Sequence, residues 1–455
     1  MDVEILARLQ FAITIMFHYI YPPLSIGLGL ILVIVEGTYI WTRNPLYMQA
    51  AKFWTKIFAL TFAIGVATGI VMEFEFGTNW SSYSRYVGDV FGSALAAEGV
   101  FAFFLESGFL AILLFGWNKV GPWVHFFSTL MVCLGAHFSA IWIVVANSWM
   151  QTPAGFHIVG EGMNARAEII DFWAMVFNPS SMQRLAHVVG GAWMAGAFLV
   201  ISISGWYLLK KRYLEFAKSS LKVGLTVALI ALISQAITGH LSGRVVAEHQ
   251  PAKLAAMEGL YHTQKGAPLT IIGYIDRENE AFHGIEIPYL LSYLVNEDFY
   301  GEIKGLDQFP KADWPNVSLV FQTYHLMLYM WVLSLLTVIA AIHSWRKGRL
   351  FENKGLLRIL VLSVIFPQIA NQVGWIAAET GRYPWIVQGL LRISQGLSKT
   401  VSANQVLGSL IMFSVLYFIL FILFIYLLHE KIKSGPFEKE DAAPYHHLQA
   451  YVKEN

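Results

Sequence analysis

Charge is scarce in this chain. Only 13% of its 455 residues are Asp, Glu, Lys or Arg, where soluble proteins carry roughly 25%. The few charges nearly cancel, 31 basic against 30 acidic, for a formal net charge of +1. That excludes a nucleic-acid binder built on a basic surface and a charge-rich disordered chain. Cysteine is scarcer still. Cys133 is the only one, so no internal disulfide can form and a disulfide scaffold is excluded. It lies in an apolar run and is expected to pack there. No fixed period runs through the sequence, which removes collagen, coiled-coil and solenoid readings. What is abundant is apolar surface: 56% hydrophobic, 15% aromatic, mean hydropathy +0.54. This describes a multi-span membrane protein rather than soluble domains of about 150 residues each.

Nine apolar segments are predicted, at 11–40, 52–77, 92–117, 122–147, 183–209, 219–240, 317–346, 355–378 and 404–430. Each has at least about 20 residues, enough to cross ~30 Å of hydrocarbon at about 1.5 Å per residue. They are apolar all round rather than alternating, so the expected fold is an all-α integral membrane bundle and not a barrel. Residues 1–10 carry Asp2, Glu4 and Arg8 and lack a small-residue cleavage site, so they do not read as a signal peptide. Lys and Arg gather after spans 1, 3, 5 and 7, as in Lys210, Lys211 and Arg212 or Arg346, Lys347 and Arg349, and again at Lys431, Lys433 and Lys439. By the positive-inside rule the N-terminus faces outward and the C-terminus is cytoplasmic. Spans 1–6 then occupy residues 1–240 and spans 7–9 residues 317–430, with a cytoplasmic tail at 431–455. Between them lies an outward polar loop, 241–316, with helix-like AKLAAMEGL at 252–260. It is expected to be a partly ordered cap, and the aromatic linker 148–182 to cover the same face.

Ionisable groups inside spans are costly and mark function. With this orientation His18, Glu98, His187, His325, Met327 and Glu379 fall in the outer half of the bundle, beneath the loop, whereas His125 and His343 lie near the inner face. Imidazole, thioether and carboxylate together suit haem iron: a His/Met pair makes a six-coordinate electron carrier, and a single His or Glu leaves a position open for a small gas. Each residue also has a plainer reading. A lone membrane His commonly hydrogen-bonds a neighbouring helix, and Met commonly fills a core. Glu98 and Glu106 share one helix. Their eight-residue spacing gives about 12 Å of rise and about 80° of rotation. They are two steps of a proton relay or two separately capped acids. Arg382 could pair with haem propionates or anchor the interface beside Trp385. For Lys253 and Glu258, five apart in the loop, a solvated surface is the default. A haem–copper oxidase would need adjacent His in a span, and the only adjacent pair is His446–His447 in the tail. A secondary transporter, the alternative from another class, would show internal repeats, and none is visible.

Longer strings are more specific. RLQFA (8–12), KFW (52–54), GVATGIVMEFEFGTNW (65–80), EGVFAFFLES (98–107), VANSWMQ (145–151), KLAAMEG (253–259) and GW…AETGRYPW (374–385) occur in order over residues 1–430. In them the chain resembles subunit I of cytochrome bd, the bacterial quinol oxidase of the cytoplasmic membrane that reduces dioxygen to water. The resemblance implies roles. His187 and Met327 match the axial pair of a low-spin haem b. His18 and Glu379 match the ligands of two high-spin haems, one a second b and the other haem d. Glu98 and Glu106 match acids beside that pair and on the proton path, and Lys253 and Glu258 match quinol-site residues of the outer "Q-loop". Trp375 matches a tryptophan between haems, and Arg382 the arginine of the family's GR-x-PW string. The loop is of the short class. His325, and NQVGW (371–375) without a Glu before Gly-Trp, resemble the cyanide-insensitive branch, in which a third haem b can replace haem d. The partners implied are a second integral subunit, subunit II, and small single-span accessory subunits, with quinol and dioxygen as substrates.

Overall fold

Two adjacent prolines shape the first segment. In a continuous helix Pro22 and Pro23 would leave the carbonyls of His18 and Tyr19 without N–H partners. The computed structural model, which describes residues 2–436, ends helix α1 (Val3–His18) at that point and restarts as α2 (Tyr21–Thr42). His18 is therefore the last residue of its helix. The tail beyond Pro436, with Lys439, His446 and His447, lies outside the described residues.

Helix α3 (Pro45–Thr78) runs back along both, as the pairs Ser25–Thr61, His18–Thr68 and Thr14–Glu75 show. A short α4 (Ser81–Tyr86) leads into α5 (Gly88–Glu98), a five-residue π segment (Gly99–Phe103) and α6 (Phe104–Phe115). After α7 (Pro122–Gln151) the linker forms an antiparallel hairpin, β1 (Phe156–Val159) with β2 (Arg166–Ile169), and a short α8 (Phe172–Val176). Helices α9 (Ser181–Leu209) and α10 (Leu214–His249) pack as a pair.

The long loop follows: α11 (Pro251–Glu258), β3 (Gln264–Lys265), the hairpin β4 (Leu269–Asp276) and β5 (Ala281–Ile287), α12 (Leu290–Asn296), and β6 (Glu302–Ile303) pairing with β3. It has a core of Leu254, Ala255, Tyr261, Ile275 and Leu306, closed by Phe321 of the following helix, so it is a folded cap. Gly259 ends α11 with φ of 66°, a left-handed turn that a side chain would strain. The rest is α13 (Val317–Arg346), α14 (Lys354–Leu362), α15 (Ile365–Thr380), the small β7 (Trp385–Val387) and β8 (Leu391–Arg392), α16 (Ile393–Gly396) and α17 (Ala403–Ser434).

Among the described residues eight helical stretches are long and apolar enough to cross a membrane. The predicted segment at 92–117 is not one of them, because the π segment divides it into two short helices. Close approach of α2 and α9 centres the bundle: a Cβ on Gly27 would sit 2.8 Å from Gly196 Cα. Small residues at such crossings let helix backbones touch where lipid offers no hydrophobic drive. Trp54, Phe58, Phe198 and Tyr207 fill the core around them.

Candidate functional site

The C-terminal ends of α7 and α15, the start of α9 and helix α11 converge on Glu379. Its Oε2 accepts a hydrogen bond from Arg382 Nη2 at 2.5 Å, and its Oε1 accepts from Asn147 Nδ2 at 3.0 Å and Gln151 Nε2 at 3.2 Å. Arg184 donates to Asn147 Oδ1. Gln151 is the hub, since its Oε1 accepts from Lys253 Nζ at 2.8 Å and Gln250 Nε2 at 2.9 Å. The extramembrane helix α11 is thereby joined to the carboxylate of a membrane-spanning one through a single amide.

Lys253 and Glu258 are not on a solvated surface: they are 2% and 3% exposed. The five-residue spacing alone suggested the opposite, because the cap over α11 cannot be seen in it. Burial, with Arg184 and Arg382 near, lowers the Lys253 ammonium well below its ordinary range, and nearby Glu379 only partly opposes this. Burial raises Glu258 to about 7, against the hydrogen bonds that Thr270 donates to its Oε2 from N (3.2 Å) and Oγ1 (2.8 Å). His325 Nε2 lies 3.0 Å from Thr270 O, with Phe321 stacked on its ring at 4.0 Å.

His187 Nδ1 meets Thr238 Oγ1 at 3.1 Å, and Gln235 Nε2 donates to His187 O at 2.5 Å. Met327 lies against α15, where a Cβ on Gly374 would come within 2.8 Å of its Sδ. Three residues before Gly374, Asn371 Nδ2 donates to Gly191 O at 3.4 Å. Helix α15 thus touches the helices of both His187 and Met327. His18 Nδ1 meets Thr68 Oγ1 at 3.0 Å. In both histidines Nδ1 is engaged, which leaves Nε2 for another ligand. Trp375 bridges the two regions, edge-on to Tyr19 at 5.5 Å and under the Arg184 guanidinium at 5.6 Å.

Glu98 and Glu106 both face α7. Ser139 Oγ donates to Glu98 Oε1 at 2.5 Å, and a Cβ on Gly135 would sit 2.7 Å from Glu106 Cγ. The π segment between them acts as a one-residue insertion, so the pair is phased like a seven-residue spacing, offset by about 20° rather than about 80°. Sequence spacing could not have shown this. Of the other intramembrane histidines, His125 pairs at 2.7 Å with Glu36, and His137 accepts from Trp193 Nε1 at 2.9 Å; each has a structural partner. Cys133 is buried, with Sγ 3.7 Å from His137 Nδ1. Arg184, Asn147 and Gln151 were missed as individual residues. The signal available was Arg184 one turn before His187, and VANSWMQ itself.

The residues fit an iron porphyrin. Among the described residues Arg184 Nε and Arg382 Nη1 are buried donors with no protein acceptor, beside a carboxylate outnumbered by guanidinium groups. Such donors match propionate carboxylates. Spans that offer imidazole, thioether and carboxylate beneath a folded cap define a multi-span, haem-binding membrane protein. The chain belongs to the cytochrome bd terminal oxidase subunit I family, whose model matches residues 6–436. It is 40% identical to the cytochrome bd ubiquinol oxidase subunit 1 of Bacillus subtilis over 95% of this chain and 94% of that one. It is 33% identical to the cytochrome bd-II ubiquinol oxidase subunit 1 of Escherichia coli, over 97% and 99%. Its fold superposes on a bd oxidase structure from Geobacillus thermodenitrificans with TM-score 0.87 and 30% identity, covering 96% of this chain and 99% of that one. The chain is thus a terminal oxidase subunit, a multi-pass protein of the bacterial inner membrane.

Proposed function

We propose that this chain oxidises quinol at the outer face and delivers the electrons to dioxygen, drawing the protons for water from the cytoplasm. The observation that carries the reading is the buried chain Lys253–Gln151–Glu379, with Glu258 close by on the same helix. It couples an extramembrane acid–base pair to the intramembrane carboxylate.

His187 and Met327 would hold a low-spin haem b. His18 and Glu379 would hold a high-spin haem b and a third group, haem d or another haem b, with Arg382 and Arg184 binding propionates. Bound there, these groups supply one-electron transfer and a position for dioxygen. The protein's own groups handle protons. Glu258 takes one from the quinol oxygen, and Lys253 donates a hydrogen bond that orients it. Glu106 and Glu98, on one face of an interrupted helix, pass protons outward, and Trp375 packs between the two haem regions. Protons released outside and taken up inside separate charge without a pump.

The chain divides accordingly into spans at 1–240, a Q-loop at 241–316, spans at 317–430 and a cytoplasmic tail at 431–455. The interrupted α5–α6 rod makes a ninth crossing, with the N-terminus outside. His325 and the NQVGW string (371–375), with no Glu before Gly-Trp, favour the cyanide-insensitive branch. Subunit II and small single-span subunits complete the complex. Neither a transporter nor a copper oxidase is favoured by the family. The test is a pyridine haemochrome analysis of the purified complex alongside quinol oxidase assay. A colourless, folded complex without quinol-dependent oxygen uptake would overturn the proposal.

A further inference from the structure

The hairpin β4–β5 lies lengthwise on α13. Tyr329 OH donates to Ile271 O at 2.7 Å, Gln322 Nε2 to Gly273 O at 3.0 Å, and Arg277 Nη2 to Asn316 Oδ1 at 2.8 Å. Going from Tyr329 to Asn316 climbs about 20 Å of helix, and six strand residues cover about the same distance. The hairpin therefore samples three depths. Toward the deep end is a cross-strand pair, Ile272 with Ile285, 55% and 64% exposed, with Thr270–Glu286 and Leu269–Ile287 the two pairs below it. Above it Tyr274 pairs with His283, ring centroids 5.3 Å apart. At the top, level with the N-cap of α13, is a charged turn with Asp276, Arg277, Glu278 and Glu280. Glu286, also exposed, follows Ile285 and so projects from the opposite face of β5. At and below the depth of the apolar pair the spanning helix exposes Leu326 and Leu333.

Apolar, then amphipathic aromatic, then charged is the order a chain meets on leaving a bilayer. We infer that the β4–β5 hairpin is immersed in the outer leaflet, with Ile272 and Ile285 among lipid acyl chains and its charged turn in water. Its inner side carries Thr270, which binds Glu258. The hairpin is then the lipid-side wall of the Glu258 pocket, a second step that rests on the quinol reading above.

The experiment uses the whole complex in nanodiscs, where the native Cys133 thiol is buried. Ile285→Cys and Glu278→Cys are each reacted with a water-soluble and a lipid-soluble maleimide. Immersion predicts that Ile285→Cys reacts at least tenfold more slowly than Glu278→Cys with the water-soluble reagent, yet readily with the lipid-soluble one. Equal water-soluble rates would overturn it, and so would protection from both reagents, which means a protein covers the face. Ile272→Lys with Ile285→Lys should raise KM severalfold for a long-tailed quinol and leave it unchanged for a short-tailed one, at constant kcat. An equal change for both, or none, would reject the wall while leaving the labelling result standing.

Discussion

A carboxyl group poised near neutrality makes a pH-dependent base. Only the ionised form of Glu258 accepts a proton, and its pKa is raised to about 7. Quinol oxidation should therefore rise as pH climbs through about 7 and level off above it. Glu258→Gln should flatten that limb and lower turnover on the order of 10²-fold. Steady-state kcat/KM against pH checks both, and an unchanged profile in Glu258→Gln would remove this residue from the chemistry. At Met327 the thioether is the proposed sixth ligand. Met327→Leu should keep the fold, because the shapes are similar, but convert the low-spin haem signal to high-spin in the reduced absorption and magnetic circular dichroism spectra. A retained low-spin signal would assign the residue to packing alone.

Among elements, the π segment matters most to the proposed proton path. It brings Glu98 and Glu106 to one face toward Ser139 and Gly135. Deleting Val100 should relax it to an α-turn and leave that phase intact, so oxygen uptake persists within severalfold. Inserting an alanine after Val100 should leave the carboxylates about 80° apart around the helix and suppress turnover, as Glu106→Gln should. Equal activity in all three would argue against a relay. The α2–α9 crossing is the complementary case of pure packing. Gly196→Leu would drive a side chain into Gly27, whose Cα is 2.6 Å from the ideal Cβ position. It should prevent assembly or lower thermal stability by several kcal/mol. Gly355→Ala, whose Cβ meets only Asn353 Oδ1 at 3.5 Å, should be neutral in the same melting assay.

For the whole molecule, parity decides the topology. The eight long apolar stretches alone would return the C-terminus to the side of the N-terminus, whereas the α5–α6 rod as a ninth places them on opposite sides. A green fluorescent protein fused after residue 455 should fluoresce, and an alkaline phosphatase fused there should be inactive. The reverse outcome would cancel the ninth crossing. The all-α membrane class, most span positions and several ionisable residues inside the spans followed from composition, run length and motif, because apolar length and misplaced charge are properties of the linear chain. Three things were decided only by tertiary structure. Lys253 and Glu258 are buried because Gln151 and Gly381, distant in sequence, close on the lysine and Thr270 of β4 closes on the glutamate. Arg184 matters because α9 turns it toward Asn147 and Trp375. Glu98 and Glu106 share a face because a helix gained one residue in a turn. Each depends on which distant segments meet, and burial, pairing and helical phase are set by those meetings rather than by spacing along the chain.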